Sequence, residues 1–205
     1  YGVLLCLNGT GILNRWIKQN CLDFDEMTIP YETMNRLGQE VSIGAEGLFI
    51  LPYGNGAERT LENRNPGASV HQLNFNIHSR KHLLRAGQEG IVYALGYGLH
   101  IMKDMGLRIE RIKAGQANMF LSPLFCEAFA NLSGAVLELY NTDGSQGAAR
   151  GAGIGAGIYA SPKEAFSSLK KKQVIEPSPK TAEQYQEVYE QWLSLLKKEV
   201  GLESI

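Results

Sequence analysis

Residues 109–160 constrain the fold more than any other stretch, because two apolar runs there each lead through a turn into a helix-like segment. Ile109-Glu110-Arg111-Ile112 alternates as a strand does. The chain then breaks at Ala114-Gly115-Gln116-Ala117-Asn118 and resumes as a helix over 121–132. A second strand is expected over 135–140, followed by a loop over 141–145 and the run Gly147-Ala148-Ala149-Arg150-Gly151-Ala152-Gly153-Ile154-Gly155-Ala156-Gly157. A glycine directly after a strand lets backbone approach a ligand, and the helix behind it offers unpaired N–H groups, which suits a nucleotide. A plain tight turn at Gly115 fits the same spacing. The 147–157 run contains no Asn, Asp or Pro, so it reads as a helix rather than a linker. Each interior glycine costs about 1 kcal/mol against Ala, so a close contact is expected in return, from another helix or a bound ring.

The remaining elements follow in order. Residues 3–7 are an apolar run, expected as a strand or buried helix, leading into Asn8-Gly9-Thr10-Gly11. That tetrad could hold phosphate, but it lacks the Lys and the spacing of a P-loop, and a turn or cap is the simpler reading. Helices are expected over 12–19, with Ile12, Leu13, Trp16 and Ile17 on one face, and over 31–41 after Pro30. Residues 47–52 read as a buried strand ending at Pro52, and 73–77 as an alternating strand. The connection 53–69 between them is long enough to be functional or mobile, with Glu58 and Arg59 a solvated pair. Ser79 caps a long helix over 80–105 that Gly106 ends, and its glycines at 87, 90, 96 and 98 imply close packing. A short helix opens at Ser161-Pro162, Lys170-Lys171-Lys172 reads as a solvated run, and 181–200 as an amphipathic helix docked through Tyr185, Val188, Trp192 and Leu195-Leu196. Strands interspersed with long helices define an α/β class.

Composition excludes several functions. A chain of 205 residues, 44% hydrophobic, buries one full-sized core, and a net charge of −1 gives no nucleic-acid footprint. No window approaches the roughly 18 apolar residues of a membrane span. Cys6, Cys21 and Cys126 are odd in number and unclustered, pointing to a reducing compartment without disulfides. His71, His78, His82 and His100 form no metal-ligand pattern, so surface or capping roles are expected. The chain opens at Tyr1, already inside an apolar run, and is expected to be part of a longer protein.

Taken in order, four segments resemble the second, C-terminal domain of the FGGY carbohydrate kinases, most closely its xylulokinases. Leu51-Pro52-Tyr53-Gly54-Asn55-Gly56-Ala57-Glu58-Arg59-Thr60 is similar to the family's P-Y-x-x-G-E-R-T loop, and Leu83-Leu84-Arg85-Ala86-Gly87-Gln88-Glu89-Gly90 to its L-x-R-A-x-x-E-G helix. Residues 114–121 resemble the adenosine-motif turn, and Gly147-Ala148-Ala149-Arg150-Gly151-Ala152 the G-A-A-x-G-A helix. The resemblance implies an actin-like ATPase (ribonuclease H-like) domain, the second of a two-domain sugar kinase. Residues 1–172 would form it and 173–205 an extension packed on it. It implies ATP and Mg²⁺ as cofactors and D-xylulose as substrate, with glycerol, ribulose and gluconate as alternatives. The implied partners are the chain's own N-terminal domain, ATP or ADP, the sugar and a second copy in a homodimer, all in the cytoplasm.

Matched position by position, Gly115 and Asn118, with Gln116 and Ala117 between them, fall on nucleotide contacts, and Gly11 and Arg15 on the pocket lining. Arg15 stands where Gln or Asp is common, Ala114 and Gln116 depart from a Gly-Gly-Gly-Ala pattern, and Ala57 lengthens the Gly-Glu-Arg-Thr loop by one. The family's catalytic aspartate lies on the other domain, so no catalytic or metal-binding residue is assigned here, and Asp143 reads as a loop residue. Two other readings are a dinucleotide binder built on Gly151-Ala152-Gly153-Ile154-Gly155 and a non-catalytic actin-like module.

Overall fold

The computed structural model describes residues 2–23 and 27–201. Helix α1 (Thr10–Ile17) runs into a π-helical turn, Lys18–Leu22, and α2 (Tyr31–Gln39) follows Pro30. Strands β1 (Phe49–Tyr53) and β2 (Gly67–His71) form an antiparallel hairpin. Helix α3 (Arg80–Asp104) then crosses the molecule to β3 (Arg111–Gly115). After β3 come α4 (Pro123–Ser133), β4 (Val136–Tyr140), α5 (Gly144–Gly155), the short α6 (Pro162–Ala165), β5 (Lys171–Ile175) and α7 (Pro179–Glu199). The second sheet has the order β3-β4-β5, with β3 and β4 parallel and β5 antiparallel. No helix among the described residues is long and apolar enough to cross a membrane.

The core is built around α3, whose residues 84–94 are all buried. A helix buried on every face needs neighbours that come very close, and its glycines admit them. A Cβ on Gly90 would lie 2.3 Å from the Ile50 carbonyl oxygen, one on Gly87 2.4 Å from Ile17, and one on Gly96 2.6 Å from Leu132. The same Ile50 carbonyl accepts the Trp192 indole N–H of α7 at 3.0 Å. Trp192 is fully buried among the rings of Tyr53, Tyr93 and Tyr189, so the docked stripe expected for the last helix is present. Charge joins the same elements. Arg85 donates to Glu89 at 2.7 Å, to the Val41 carbonyl at 2.7 Å and to the Tyr185 hydroxyl at 3.0 Å, while Glu89 accepts the Gly44 N–H at 3.1 Å.

The N-terminus of α3 is capped as expected, with a histidine as the second member of the box. Ser79 accepts from the N3 backbone, and the His82 Nδ1 accepts the Ser79 N–H at 3.0 Å. His78 Nδ1 accepts the Asn74 N–H at 3.0 Å one turn earlier, so both histidines act as caps.

Several expectations are corrected. The run at 3–7 is neither strand nor helix, and Leu4 is 85% exposed. The strand expected to end at Pro52 continues through it to Tyr53. In an antiparallel strand a residue's carbonyl and nitrogen point to the same side, and the Pro52 carbonyl faces Gly9 rather than β2, so the missing N–H removes no ladder bond. The second strand of that hairpin is 67–71, not 73–77, because Gln72 takes φ +59 and Asn74 closes a turn onto Ile77 and His78. Glu58 and Arg59 are not a solvated pair. Glu58 is 1% exposed and its carboxylate accepts the Asn8 N–H at 3.0 Å, whereas Arg59 is exposed.

The lysine run is solvated as expected, and its second and third members open β5, an edge strand whose first four residues are exposed. The glycine-rich helix α5 exists, and no other described helix packs closely on its glycines: Gly144, Gly147, Gly151 and Gly155 face open space, and Gly153 meets the Tyr159 ring. Helix α5 makes its contacts elsewhere, with α6 and, through Arg150, with Thr142 of the loop before it.

The second sheet is fastened at Glu138 in its central strand, 2% exposed. Lys171 of β5 and Arg111 of β3 both reach its Oε1, and the Tyr140 hydroxyl donates to Oε2 at 2.7 Å. These bonds, Lys171 first, then Tyr140 and Arg111, hold the carboxyl down at about 2 against an ordinary 4.5.

Two outcomes are expected. Gly90→Ala forces a methyl against backbone and costs about 1–3 kcal/mol in urea unfolding, whereas Gly151→Ala, facing open space, gains up to about 1 kcal/mol. Because the Glu138 carboxyl is depressed in the fold, its contribution is complete above pH 4.5 and is lost as pH falls through about 2. Unfolding midpoints measured from pH 6 to pH 2 therefore fall less steeply for Glu138→Gln than for the wild type.

Candidate functional site

The parallel pair β3–β4 brings Gly115 and Tyr140 side by side at its carboxyl end. Open α/β sheets bind ligands in the crevice outside such strand ends. Gly115, expected in a break, is the last residue of β3, which starts two residues later than expected. A Cβ there would lie 2.3 Å from the Thr142 carbonyl oxygen, so the loops leaving the two strands touch at this glycine. The N–H groups of Gln116 and Thr142 both donate to the Tyr140 carbonyl at 2.8 Å, and that of Ala117 to the Gly115 carbonyl at 2.8 Å.

Each helix after these turns has one N-terminal N–H taken by a side-chain cap. Between Asn118, at φ +53, and α4 lies a 3₁₀ turn, Asn118–Leu121, and Ser122 caps α4 by accepting the Phe125 N–H at 3.3 Å. Asp143 caps α5, accepting from the Gln146 N–H at 2.8 Å and the Ser145 hydroxyl at 2.7 Å. Those bonds, the Gln146 one first, hold its carboxyl below the usual range. A capped, depressed carboxylate is a poor general base, in keeping with a loop role.

Across from the 3₁₀ turn, α1 and α2 complete a cavity of about 620 Å³. Gly11 and Arg15 of α1 and Asn118 of the turn line it together. Gly115, Gln116 and Ala117 do not reach it; they shape the approach to Asn118. Arg15 and Glu32 bring one positive and one negative exposed group to its rim, while Ile12, Met119 and Leu121 give it apolar walls.

The placement of α1 depends on Asn8 and Gly9, the two residues of the tetrad that form the bend before it. A Cβ on Gly9 would lie 1.6 Å from the Pro52 carbonyl oxygen, so only glycine passes there. Asn8 is clasped by the following loop: its N–H donates to Glu58, its amide to the Ala57 carbonyl at 2.7 Å, and its carbonyl accepts from Asn55 at 2.8 Å. The next helical turn carries Arg15 toward this cavity and Trp16, 57% exposed, toward a separate apolar groove of about 340 Å³ against the β1–β2 hairpin.

The floor contains residues that periodicity gave no reason to single out. Gln88 of α3, 1% exposed, donates to Asn35 Oδ1 at 2.8 Å and accepts from the Ser122 hydroxyl at 2.7 Å. Asn35 and Ser122 both line the cavity. The only advance signal was a polar residue, Gln88, inside the buried stretch of α3.

This fold is the α/β fold of an actin-like ATPase domain, shared with solved sugar kinases. The xylulose kinase structure from Rhodospirillum rubrum superposes with a TM-score of 0.73 at 24% identity, covering 92% of this chain and 38% of that one. No protein-family model matches the chain. Among curated proteins, the xylulose kinase of Haemophilus influenzae is 28% identical over 181 residues, 84% of this chain and 35% of the relative. The xylulose kinase of Escherichia coli is 31% identical over 142 residues, 68% of this chain and 28% of the relative. A gluconokinase of Bacillus subtilis is 30% identical over 95 residues, 43% of this chain and 18% of the relative. The chain is homologous to the FGGY carbohydrate kinases. It spans about a third of the length of the xylulose kinase relatives.

Ser122→Ala removes the cap of α4 and leaves Gln88 Oε1 without its donor in a buried site. A loss of about 1–3 kcal/mol is expected in urea unfolding, largely restored by Ser122→Thr, which keeps the hydroxyl.

Proposed function

We propose that this chain is the nucleotide-binding half of a two-domain sugar kinase that transfers the γ-phosphoryl of ATP to a sugar hydroxyl, D-xylulose giving D-xylulose 5-phosphate. The observation that carries it is the cavity between α1, α2 and the 3₁₀ turn, where Gly11, Arg15 and Asn118 converge. Residues 1–172 carry most of this half, and 173–205 complete it with the rest of β5 and helix α7, in a cytoplasmic enzyme. The relatives named xylulose kinase favour xylulose; the gluconokinase match keeps gluconate as the second substrate.

Phosphoryl transfer asks a protein chiefly for positioning and charge stabilisation. The apolar walls of Ile12, Met119 and Leu121 suit the faces of a flat base, and Arg15 offers a cation to the phosphates. Mg²⁺ needs only one or two carboxylates beside nucleotide phosphates, and no group of three or more His, Cys, Asp and Glu gathers among the described residues. The metal is expected to arrive on the nucleotide, whose phosphates supply oxygen ligands. The base that deprotonates the sugar is assigned to the N-terminal domain, so this chain alone is expected to be inactive. A dinucleotide reading is disfavoured, since Gly151, Gly153 and Gly155 lie in the last turns of α5 and not at a strand end.

Titration of the isotopically labelled chain with ATP–Mg²⁺, followed by amide NMR with NADH as control, is expected to shift Gly11, Arg15 and Asn118 with ATP only. Absence of shifts at millimolar ATP, or equal shifts with NADH, overturns the nucleotide assignment. Sugar-dependent ADP release by the pure chain overturns the assignment of the base to another domain.

A further inference from the structure

The hydrogen-bond chain on the cavity floor has a fixed direction, and the direction is set by the cap of α4. Ser122 Oγ accepts the Phe125 N–H, which leaves its own proton to donate, and that proton goes to Gln88 Oε1. Turning the Gln88 amide over would aim an N–H at Ser122 Oγ, in place of the oxygen that now takes the Ser122 proton. The Ser122 proton would then need another acceptor in a site where the residue is 3% exposed, a cost typical of a buried unpaired polar group. Gln88 must therefore present Nε2 to Asn35, and Asn35 must receive it on Oδ1. The Asn35 Nδ2 makes no hydrogen bond to any described residue. Asn35 is 8% exposed and that remaining exposure belongs to the cavity wall, so the cavity is offered a donor at this position and not an acceptor.

We propose that Asn35 is a specificity-determining residue whose Nδ2–H donates to an acceptor nitrogen in the ring of a purine base. The inference rests on the nucleotide reading of the cavity and adds to it the part of the nucleotide that is read here. A neutral donor at a nearly buried floor, below apolar walls, matches an uncharged flat ring. Phosphate groups, which keep much of their hydration, are drawn instead to the exposed Arg15. Asn35 also reaches the ligand in an orientation held in advance, because the chain of bonds to Ser122 removes its amide flip.

The test titrates the chain with adenosine and its 1-deaza, 3-deaza and 7-deaza analogues, uncharged probes that leave Arg15 out of the comparison. One analogue is expected to bind the wild type about tenfold more weakly than adenosine, the effect of one lost hydrogen bond. In Asn35→Asp the acceptor for Gln88 is kept and the donor is gone. Adenosine is then expected to fall to the level of that analogue, the discrimination to vanish and the unfolding midpoint to hold. Wild-type chain that binds adenosine and all three analogues equally overturns the proposal while the nucleotide reading stands, and needs no variant to be folded. So does retention of the discrimination in folded Asn35→Asp or, should that variant fail to fold, in Asn35→Ala, which carries no donor. Wild-type chain that binds neither ATP nor adenosine overturns both.

Discussion

The buried pair Arg85–Glu89 is the interaction on which the rest of the molecule depends. Two charges four residues apart on one helix face would be a minor surface feature. Within the buried centre of α3 they leave water together, and each must find every remaining partner inside the protein. Arg85 does so on the Val41 carbonyl and the Tyr185 hydroxyl, and Glu89 on the Gly44 N–H. The requirement fixes three separate pieces of chain, the segment after α2, α3 itself and α7, at hydrogen-bonding distance from one another. The neighbouring glycines act on the same helix by subtraction: Gly87 and Gly90 admit α1 and β1 so closely that no larger residue fits.

The cavity inherits its geometry from this centre. Helix α1 is located by Gly87 beneath it and by the clasp at Asn8, α2 lies against α3, and Gln88 reaches from α3 to bind α2 and the cap of α4 at once. Neighbouring residues of α3 thus divide the work. Arg85 and Glu89 assemble the helices, and Gln88, one position before Glu89, sets the polarity of the floor.

The sequence was legible where one physical signal dominated. Helix α3 combines an apolar period, a serine cap and a terminating glycine at φ +87, and its bounds came within a residue. The aromatic stripe of α7 is of the same kind. Strands were harder, because alternation reports exposure on two sides without saying which side is covered. Leu73, Phe75 and Ile77 alternate well yet lie in an exposed turn, while Lys171 and Lys172 belong to an edge strand, where lysines protect an open edge from pairing. The candidate cavity was legible in part: Gly11, Arg15 and Asn118 line it from opposite sides, whereas Asn35 and Ser122 depend on pairings across α2, α3 and α4 that no local pattern carries. The glycines of α5 misled for a related reason, since their spacing fits close packing while no described residue packs against four of them.

The link from Arg85 to Tyr185, and that from Ile50 to Trp192, have a consequence for how the molecule is made. They join residues 100 and 142 positions apart, so the centre of α3 stays open until the last helix has left the ribosome. Until then Arg85 lacks Tyr185 and the Ile50 carbonyl lacks its indole partner. Closure over such separations is slow compared with local helix formation. The nascent chain is therefore expected to wait with its helices formed and its centre hydrated, and to become resistant to proteases in one step when α7 docks.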